Sequence, residues 1–325
     1  MRTQSLPSLA MFLAIVSLPV TPALLSAQEM GALSSRTSDH SLASSSGETG
    51  TAPILSSPKV KDDAATLAAV GAKSVSLTAQ NEFAVEAFTG ILDQYRRMGN
   101  REAEAETLCA LANSYDALHQ QQKAVEDYQL ALAIWRELGN KDGEAATLAH
   151  IGDVYRAWGF APQAIRFYHD ALKVYPATHK KAEEAAVLNN LGLSFFLTGD
   201  KKKCVSYLDQ ALAAYHATQD RQGEAFTLTN LGSAYGFLLN NPYKSLDYFQ
   251  EAVTRLELLN DRESEANALD IMGELWLKLA KPEMAEISFQ HALILFSRTG
   301  NSQGEASARK HLSALGQTEI IASDH

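Results

Sequence analysis

Apolar residues return along this chain at i, i+3, i+4 and i+7, the spacing of one helix face. Leu108, Leu111, Ala112 and Tyr115 form the first clear set. The set recurs as Leu148, Ile151, Gly152, Tyr155, then as Leu188, Leu191, Gly192, Phe195. It continues as Leu228, Leu231, Gly232, Tyr235 and as Leu269, Met272, Gly273, Trp276. A small residue in the third place lets another helix approach closely, and the aromatic one turn later fills the space beyond. Between these sets lies a second helical pattern: Ala124, Tyr128, Ala131, repeated as Ala164, Tyr168, Ala171 and as Cys204, Leu208, Ala211. Ser245, Phe249, Ala252 and Ala285, Phe289, Ala292 complete it. Pro162, Pro242 and Pro282 fall near the starts of these second helices, where a missing N–H costs little.

The two patterns alternate with a fixed period. Glu-Ala stands at Glu104-Ala105, Glu144-Ala145, Glu184-Ala185, Glu224-Ala225, Glu265-Ala266 and Glu305-Ala306, at spacings of 40, 40, 40, 41 and 40. A period of this size is the signature of a solenoid. The extra residue of the fourth unit is expected at Asn240-Asn241. Turns such as Gly139-Asn140, Gln219-Asp220 and Gly300-Asn301 separate the units. The predicted fold is all-α: an α/α superhelical solenoid of stacked antiparallel helix hairpins. A partial N-terminal repeat is expected over 61–100, five full repeats over 101–300, a capping helix over 301–316 and a tail over 317–325. Within the partial repeat, a first helix is expected near Asp62–Leu77 and a second over Ala84–Met98.

Upstream the pattern disappears. Arg2, an apolar stretch from Leu9 to Val20 and the segment Pro22–Ala27 read as a signal peptide over 1–27, cleaved after Ala27. That stretch is shorter than the ~18–20 residues of a membrane span, so export to the periplasm or medium is expected, with no integral membrane segment after cleavage. No Cys near the cleavage region points to a lipid anchor. Residues 28–60, rich in Ser, Thr and Gly, form an expected disordered linker. The formal net charge of −10 argues against nucleic acid as partner. Cys109 and Cys204 lie two repeats apart, roughly 15–20 Å at ~8–10 Å per packed helix. A disulfide needs Cα atoms within about 7 Å, so neither a bridge nor a reactive pair is expected.

The repeat columns resemble the tetratricopeptide repeat, whose first helix carries a large residue, Leu, a small residue and Tyr, and whose second carries Ala, an aromatic and Ala. The match runs from about Ala84 to Leu315. The period of about 40 and the run Glu-Ala-x-x-Leu-x-Asn-Leu-Gly at 184–192 and 224–232 are similar to the repeats of kinesin light chains and of bacterial CHAT-associated arrays. Only a ten-residue tail follows Leu315 in this sequence, so an appended catalytic domain is not expected.

The resemblance implies that first helices line a concave groove. The stripe beside the packing columns then faces it: Asn113, Asp153, Arg156, Asn189, Leu193, Phe196, Phe226, Phe237, Asp270 and Glu274. Its middle is apolar and its flanks are mainly acidic, which predicts an extended peptide with apolar residues and neutral or basic flanks. Phe196 and Phe237 have an alternative, packing between adjacent first helices. Asn190 and Asn230 occupy places where the resemblance implies a grip on peptide backbone; a solvated or locally bonded amide is the other reading. No Lys/Arg clamp for an acidic peptide terminus is present.

Catalytic and metal motifs are absent from the sequence: HExxH, Gly-rich phosphate loops, Gly-x-Ser-x-Gly and paired-Cys ligand sets. No cofactor is expected. The sequence therefore predicts a non-catalytic protein-interaction scaffold. A structural or self-associating spacer of the cell envelope, of open oligomeric state, is the first alternative. A regulatory repeat fragment of a larger CHAT-type system is the second.

Overall fold

The computed structural model describes residues 77–323, so the expected signal peptide, the linker and the helix near 62–77 lie outside the described residues. Twelve α-helices fill this range: α1 Leu77–Met98, α2 Arg101–Ala117, α3 Gln121–Leu138, α4 Lys141–Ala157, α5 Ala161–Val174 and α6 Lys181–Thr198. They continue with α7 Lys201–Thr218, α8 Arg221–Ser233, α9 Pro242–Leu259, α10 Arg262–Lys278, α11 Pro282–Thr299 and α12 Ser302–Ser323. Each helix packs on the next, and α6 also lies against α4 and α8. Among the described residues there is no strand. Five helix pairs, α2/α3 to α10/α11, are the five units; α1 is the second helix of a preceding pair and α12 a first helix without a partner.

Each pair closes on the columns read from the sequence. Tyr128, Tyr168, Leu208, Phe249 and Phe289 are all buried, each opposite the small residue of its own first helix. A Cβ added at Gly152 would lie 2.6 Å from the Tyr168 ring, and one at Gly192 2.7 Å from Leu208 Cγ. The small column therefore serves the seam within a hairpin. The Glu-Ala pairs do two jobs. Ala105, Ala145, Ala185, Ala225 and Ala266 are fully buried, grouped in several units with the second-helix alanine of the same hairpin. Ala306 is exposed, because α12 has no second helix to cover it. Glu104 pairs with Arg96 at 3.0 Å, Glu144 with Arg136 at 2.8 Å and Glu224 with His216 at 2.8 Å, each tying a first helix to the end of the preceding second helix.

The turns repeat as well. Left-handed residues end the first helices at His119, Gly159, Gly199, Asn240 and Ala280, and end second helices at Gly99, Gly139, Gln219, Asn260 and Gly300. Asn140, Asp220, Asp261 and Asn301 then cap the following helix by accepting from the backbone N–H three residues on. After α5 the pattern changes: Pro176 ends the helix in a short 3₁₀ turn, Tyr175–Ala177.

Two expectations are corrected. The extra residue of the fourth unit is absorbed before Asn240-Asn241, in a π-turn over Ala234–Leu238. There Leu239 N–H donates to the Ala234 carbonyl and Asn241 N–H to that of Tyr235; widening one turn stores an inserted residue without shifting the helices around it. The last helix runs past 316 to Ser323, since Gly316 does not adopt the left-handed φ that ends other helices here.

Candidate functional site

The inner stripe of the first helices is where the sequence placed a groove. The structure fills much of it with side chains bonded to one another. Tyr168 of α5 donates its hydroxyl to Asp153 Oδ1 of α4 at 2.6 Å, and Asn190 of α6 donates to the same oxygen at 2.8 Å. Asn189 donates to Asn190 Oδ1 at 3.3 Å and itself accepts from Asn230 of α8 at 2.9 Å and from Thr227 at 3.3 Å. The result is a continuous polar ladder across α4, α6 and α8.

This corrects the assignment of the asparagines. Asn189 and Asn190 are 0% exposed and Asn230 1%. Their amides satisfy one another, which buried polar groups must do to avoid a desolvation cost of about 1–3 kcal/mol each. They hold repeats together and do not meet a ligand. Leu193 is buried beside them. Asn113, half-buried, accepts from the Tyr128 hydroxyl of its own hairpin. Arg156 donates to the Tyr168 hydroxyl at 3.3 Å. Burial works against its charge, but Tyr168, Asp153 and Asp116 more than offset this and raise its pKa.

At the C-terminal end Asp270 and Glu274 are also taken. His311 of α12 places Nδ1 3.3 Å from Asp270 Oδ1 and Nε2 3.8 Å from Glu274 Oε1, with its ring 4.5 Å from that of Phe289. The hydrogen bond to Asp270 and the charges of both carboxylates raise the His311 pKa despite desolvation and Lys310. Because the folded-state pKa exceeds the unfolded one, the imidazolium stabilises the docked cap fully below about pH 6.5. That stabilisation is lost as pH rises through the raised folded value. Hydrogen exchange of the α12 amides, corrected for intrinsic rate, should therefore quicken between pH 6 and pH 8.5. His311→Gln should remove the difference; a pH-independent wild type would refute it.

The half-exposed apolar residues of the stripe's middle are Phe196, Leu197, Phe226 and Phe237, at the same intermediate exposure as the polar Asn113, Asp153, Arg156, Asp270 and Glu274. Phe196 also packs on the core of units two and three, and Phe237 on that of units four and five, with Lys278 Nζ 4.7 Å from its ring. Both rings are thus partly packed against the core and partly exposed. In the flanking units Glu106, Asp116 and Glu274 are pushed above the ordinary carboxylate range, chiefly by burial and further by Glu102, Asp153 and Asp270 respectively.

The sequence did not reveal the ladder's other members, Thr227 and the Tyr hydroxyls. A signal was present. Tyr128 and Tyr168 stand fifteen residues after Asn113 and Asp153, whereas Leu208 stands fifteen after Leu193, so in the first three units a hydroxyl appears where an acceptor faces it; in unit five Phe289 stands fifteen after Glu274 without one. A further unanticipated feature lines the hairpin turns. Lys123, Lys203, Lys244 and Lys281 lie 4.1–5.2 Å from the rings of Tyr115, Phe195, Tyr235 and Trp276. In unit two Trp158 stacks on Tyr155 instead, with Phe160 edge-on to Trp158 at 5.1 Å.

Among the described residues no group of three or more His, Cys, Asp or Glu side chains could hold a metal ion. Burial pushes the Cys109 thiol up to about 11 and the Cys204 thiol to about 12, and both are free; thiols at such values are poor nucleophiles at neutral pH. No helix among the described residues is long and apolar enough to cross a membrane.

Residues 118–177 and 183–258 match the family Tetratricopeptide repeat. No match is found among curated proteins. Of the solved structures, BtubC (BKLC) from P. vanneervenii superposes with a TM-score of 0.62 at 19% identity, over 68% of this chain and 92% of its own. A putative kinesin light chain of Podosopora anserina, with nearly identical TPR-like repeats, gives a TM-score of 0.51 at 16% identity over 60% and 95%. The Rap conjugation gene regulator of the plasmid pLS20, solved in complex with the Phr* peptide, gives 0.53 at 14% identity over 66% and 59%. At these identities the likeness concerns the fold. Seam columns, hairpin stacking and the family match agree: the chain carries tetratricopeptide repeats over residues 118–177 and 183–258.

Proposed function

We propose that the chain is an exported, non-catalytic scaffold that holds an extended segment of a partner protein on the inner face of units three and four. The observation that carries this is the row of half-exposed Phe196, Leu197, Phe226 and Phe237, left open where the polar groups around it are internally satisfied. The Rap regulator's complex with a peptide supports it as an example of the same fold holding one.

The geometry of this row supports a guest of particular chemistry. Phe226 and Phe237 lie eleven residues apart on one helical segment, about 16 Å at ~1.5 Å per residue. An extended chain covers that in roughly five residues at ~3.3 Å each. Two apolar anchors about five residues apart are therefore favoured. Basic flanks are favoured too, because Glu106 and Asp116 carry raised pKa values that a nearby cation relieves.

Fluorescence anisotropy on a tiled set of peptides tests the proposal. Binders should carry apolar anchors with Lys or Arg flanks. Phe196→Ala with Phe226→Ala should weaken them at least about tenfold, since burying one Phe is worth about 1.5–3 kcal/mol. Binders that are acidic, or that ignore the double variant at unchanged melting temperature, would sink the groove.

A further inference from the structure

The outer face of α11 departs from the four second helices before it. Met284, Ile287 and Ile294 are 42%, 50% and 48% exposed and share one side of the helix with the exposed His291. At the place of Met284 the earlier second helices carry Lys123, Gln163, Lys203 and Lys244; at the place of Ile287 they carry Glu126, Arg166, Ser206 and Asp247. At these two places the four earlier units thus present charged or polar residues where the last presents apolar ones, and at the place of Ile294 they carry Ala133, Lys173, Ala213 and Thr254. Scattered apolar side chains on a surface need no explanation, but a stripe along one helix does.

The stripe also has the spacing of a helix–helix seam. Positions 284, 287, 291, 294 and 298 alternate steps of three and four, the a/d pattern that two helices bury against each other. The charge along α11 then selects the partner. The helix opens with Glu283 and Glu286 and closes with Arg298, beside which Arg309 of α12 lines the same shallow depression as Leu293 and Ile294. Glu286 holds only Gln290, four residues on in its own helix, and Arg309 pairs with Glu305 of its own helix, so both remain at the surface. A copy of the same helix laid antiparallel brings its basic end over this acidic start, and its acidic start over this basic end. A parallel copy sets like charges together.

We propose that α11 is a self-association surface on which a second copy of this chain packs antiparallel about a two-fold axis near His291, so that Ile287 of each copy meets Ile294 of the other and Met284 lies beside the other's Arg298. An isologous contact of this kind needs a self-complementary patch, which the charge order supplies. The seam from Met284 to Arg298 is about 21 Å long at ~1.5 Å per residue. One helix pair of that length buries roughly 1,000 Å² in total, the low end for specific contacts, so the dimer is weak, with micromolar dissociation.

Sedimentation equilibrium of the full chain over a micromolar concentration series tests this. The wild type should pass from monomer to dimer, and Ile287→Glu with Ile294→Glu should stay monomeric at an unchanged melting temperature. Glu283→Arg/Glu286→Arg and Arg298→Glu/Arg309→Glu should each lose dimer alone and regain it when mixed. A wild type that stays monomeric throughout, whatever else covers the stripe, overturns the proposal. So does a dimer that persists through the isoleucine changes, or one that the charge-reversed mixture does not restore.

Discussion

Asp153→Ala should break the array between its second and third units. The Asp153 carboxylate accepts from both the Tyr168 hydroxyl and the Asn190 amide, and it is the joint between one hairpin's own seam and the next first helix. Alanine removes the acceptor and leaves both donors in place. An orphaned buried donor costs about 1–3 kcal/mol, so two set the expected loss at roughly 3 kcal/mol. Arg156 loses an offsetting charge as well. In a solenoid, where each repeat is stabilised mainly by its neighbours, such a loss at one junction uncouples what lies on either side. Trp135 and Trp158 report on units one and two, and Trp276 on unit five. In urea their fluorescence transitions should coincide for the wild type and separate for Asp153→Ala, the N-terminal pair melting first. Asp153→Asn keeps an oxygen that can accept and should cost distinctly less. Coincident transitions in the alanine variant, displaced by under about 1 kcal/mol, would remove the ladder from the account of stability.

The fold was legible because the same packing instruction is written five times. Leu148, Ile151, Gly152 and Tyr155 alone could belong to any amphipathic helix; their return every 40 residues, with Ala164, Tyr168 and Ala171 between, leaves little but stacked hairpins. The turns were legible too, because Gly139-Asn140 and Gly300-Asn301 combine a left-handed residue with a helix cap. The inner face was not. Periodicity shows that Asn190 and Asn230 share a stripe, but not whether water, a guest or the neighbouring helix covers it. That depends on how closely first helices approach one another, and α4, α6 and α8 approach closely enough to bury Asn189, Asn190 and Asn230 between them. Asp270 and Glu274 read as an acidic flank for the same reason: His311 lies 41 residues beyond Asp270, and only the stacking of α12 on the last hairpin brings the three together. The π-turn at Ala234–Leu238 escaped because a spacing of 41 counts an extra residue without saying which backbone hydrogen bonds widen to hold it.

One substitution at two glycines should shift stability in opposite directions. Gly90 and Gly192 both lie within helices, at helical φ. Glycine in a helix interior costs about 0.8–1.0 kcal/mol against alanine, because more backbone freedom is lost on folding. At Gly90 a Cβ meets nothing within 4 Å, so Gly90→Ala should stabilise the protein by about that amount. At Gly192 the same Cβ would lie 2.7 Å from Leu208 Cγ, 2.9 Å from its Cδ2 and 3.2 Å from its backbone nitrogen. The branch point and backbone of a fully buried leucine cannot swing aside as a flexible chain end can, so the two helices of unit three must separate. Overpacking of this kind costs typically about 1–3 kcal/mol, which exceeds the propensity gain. Gly192→Ala should therefore destabilise, and Gly192→Val should do so further through its β-branch. Ala112 marks the tolerated limit: unit one holds a Cβ in this column against Tyr128, so the demand for glycine belongs to the close approach in units two to five. Thermal and urea melts of the two alanine variants, run side by side, check the signs. If Gly192→Ala gained stability as Gly90→Ala does, the hairpin seam would be looser than these distances allow, and the small column would need another explanation.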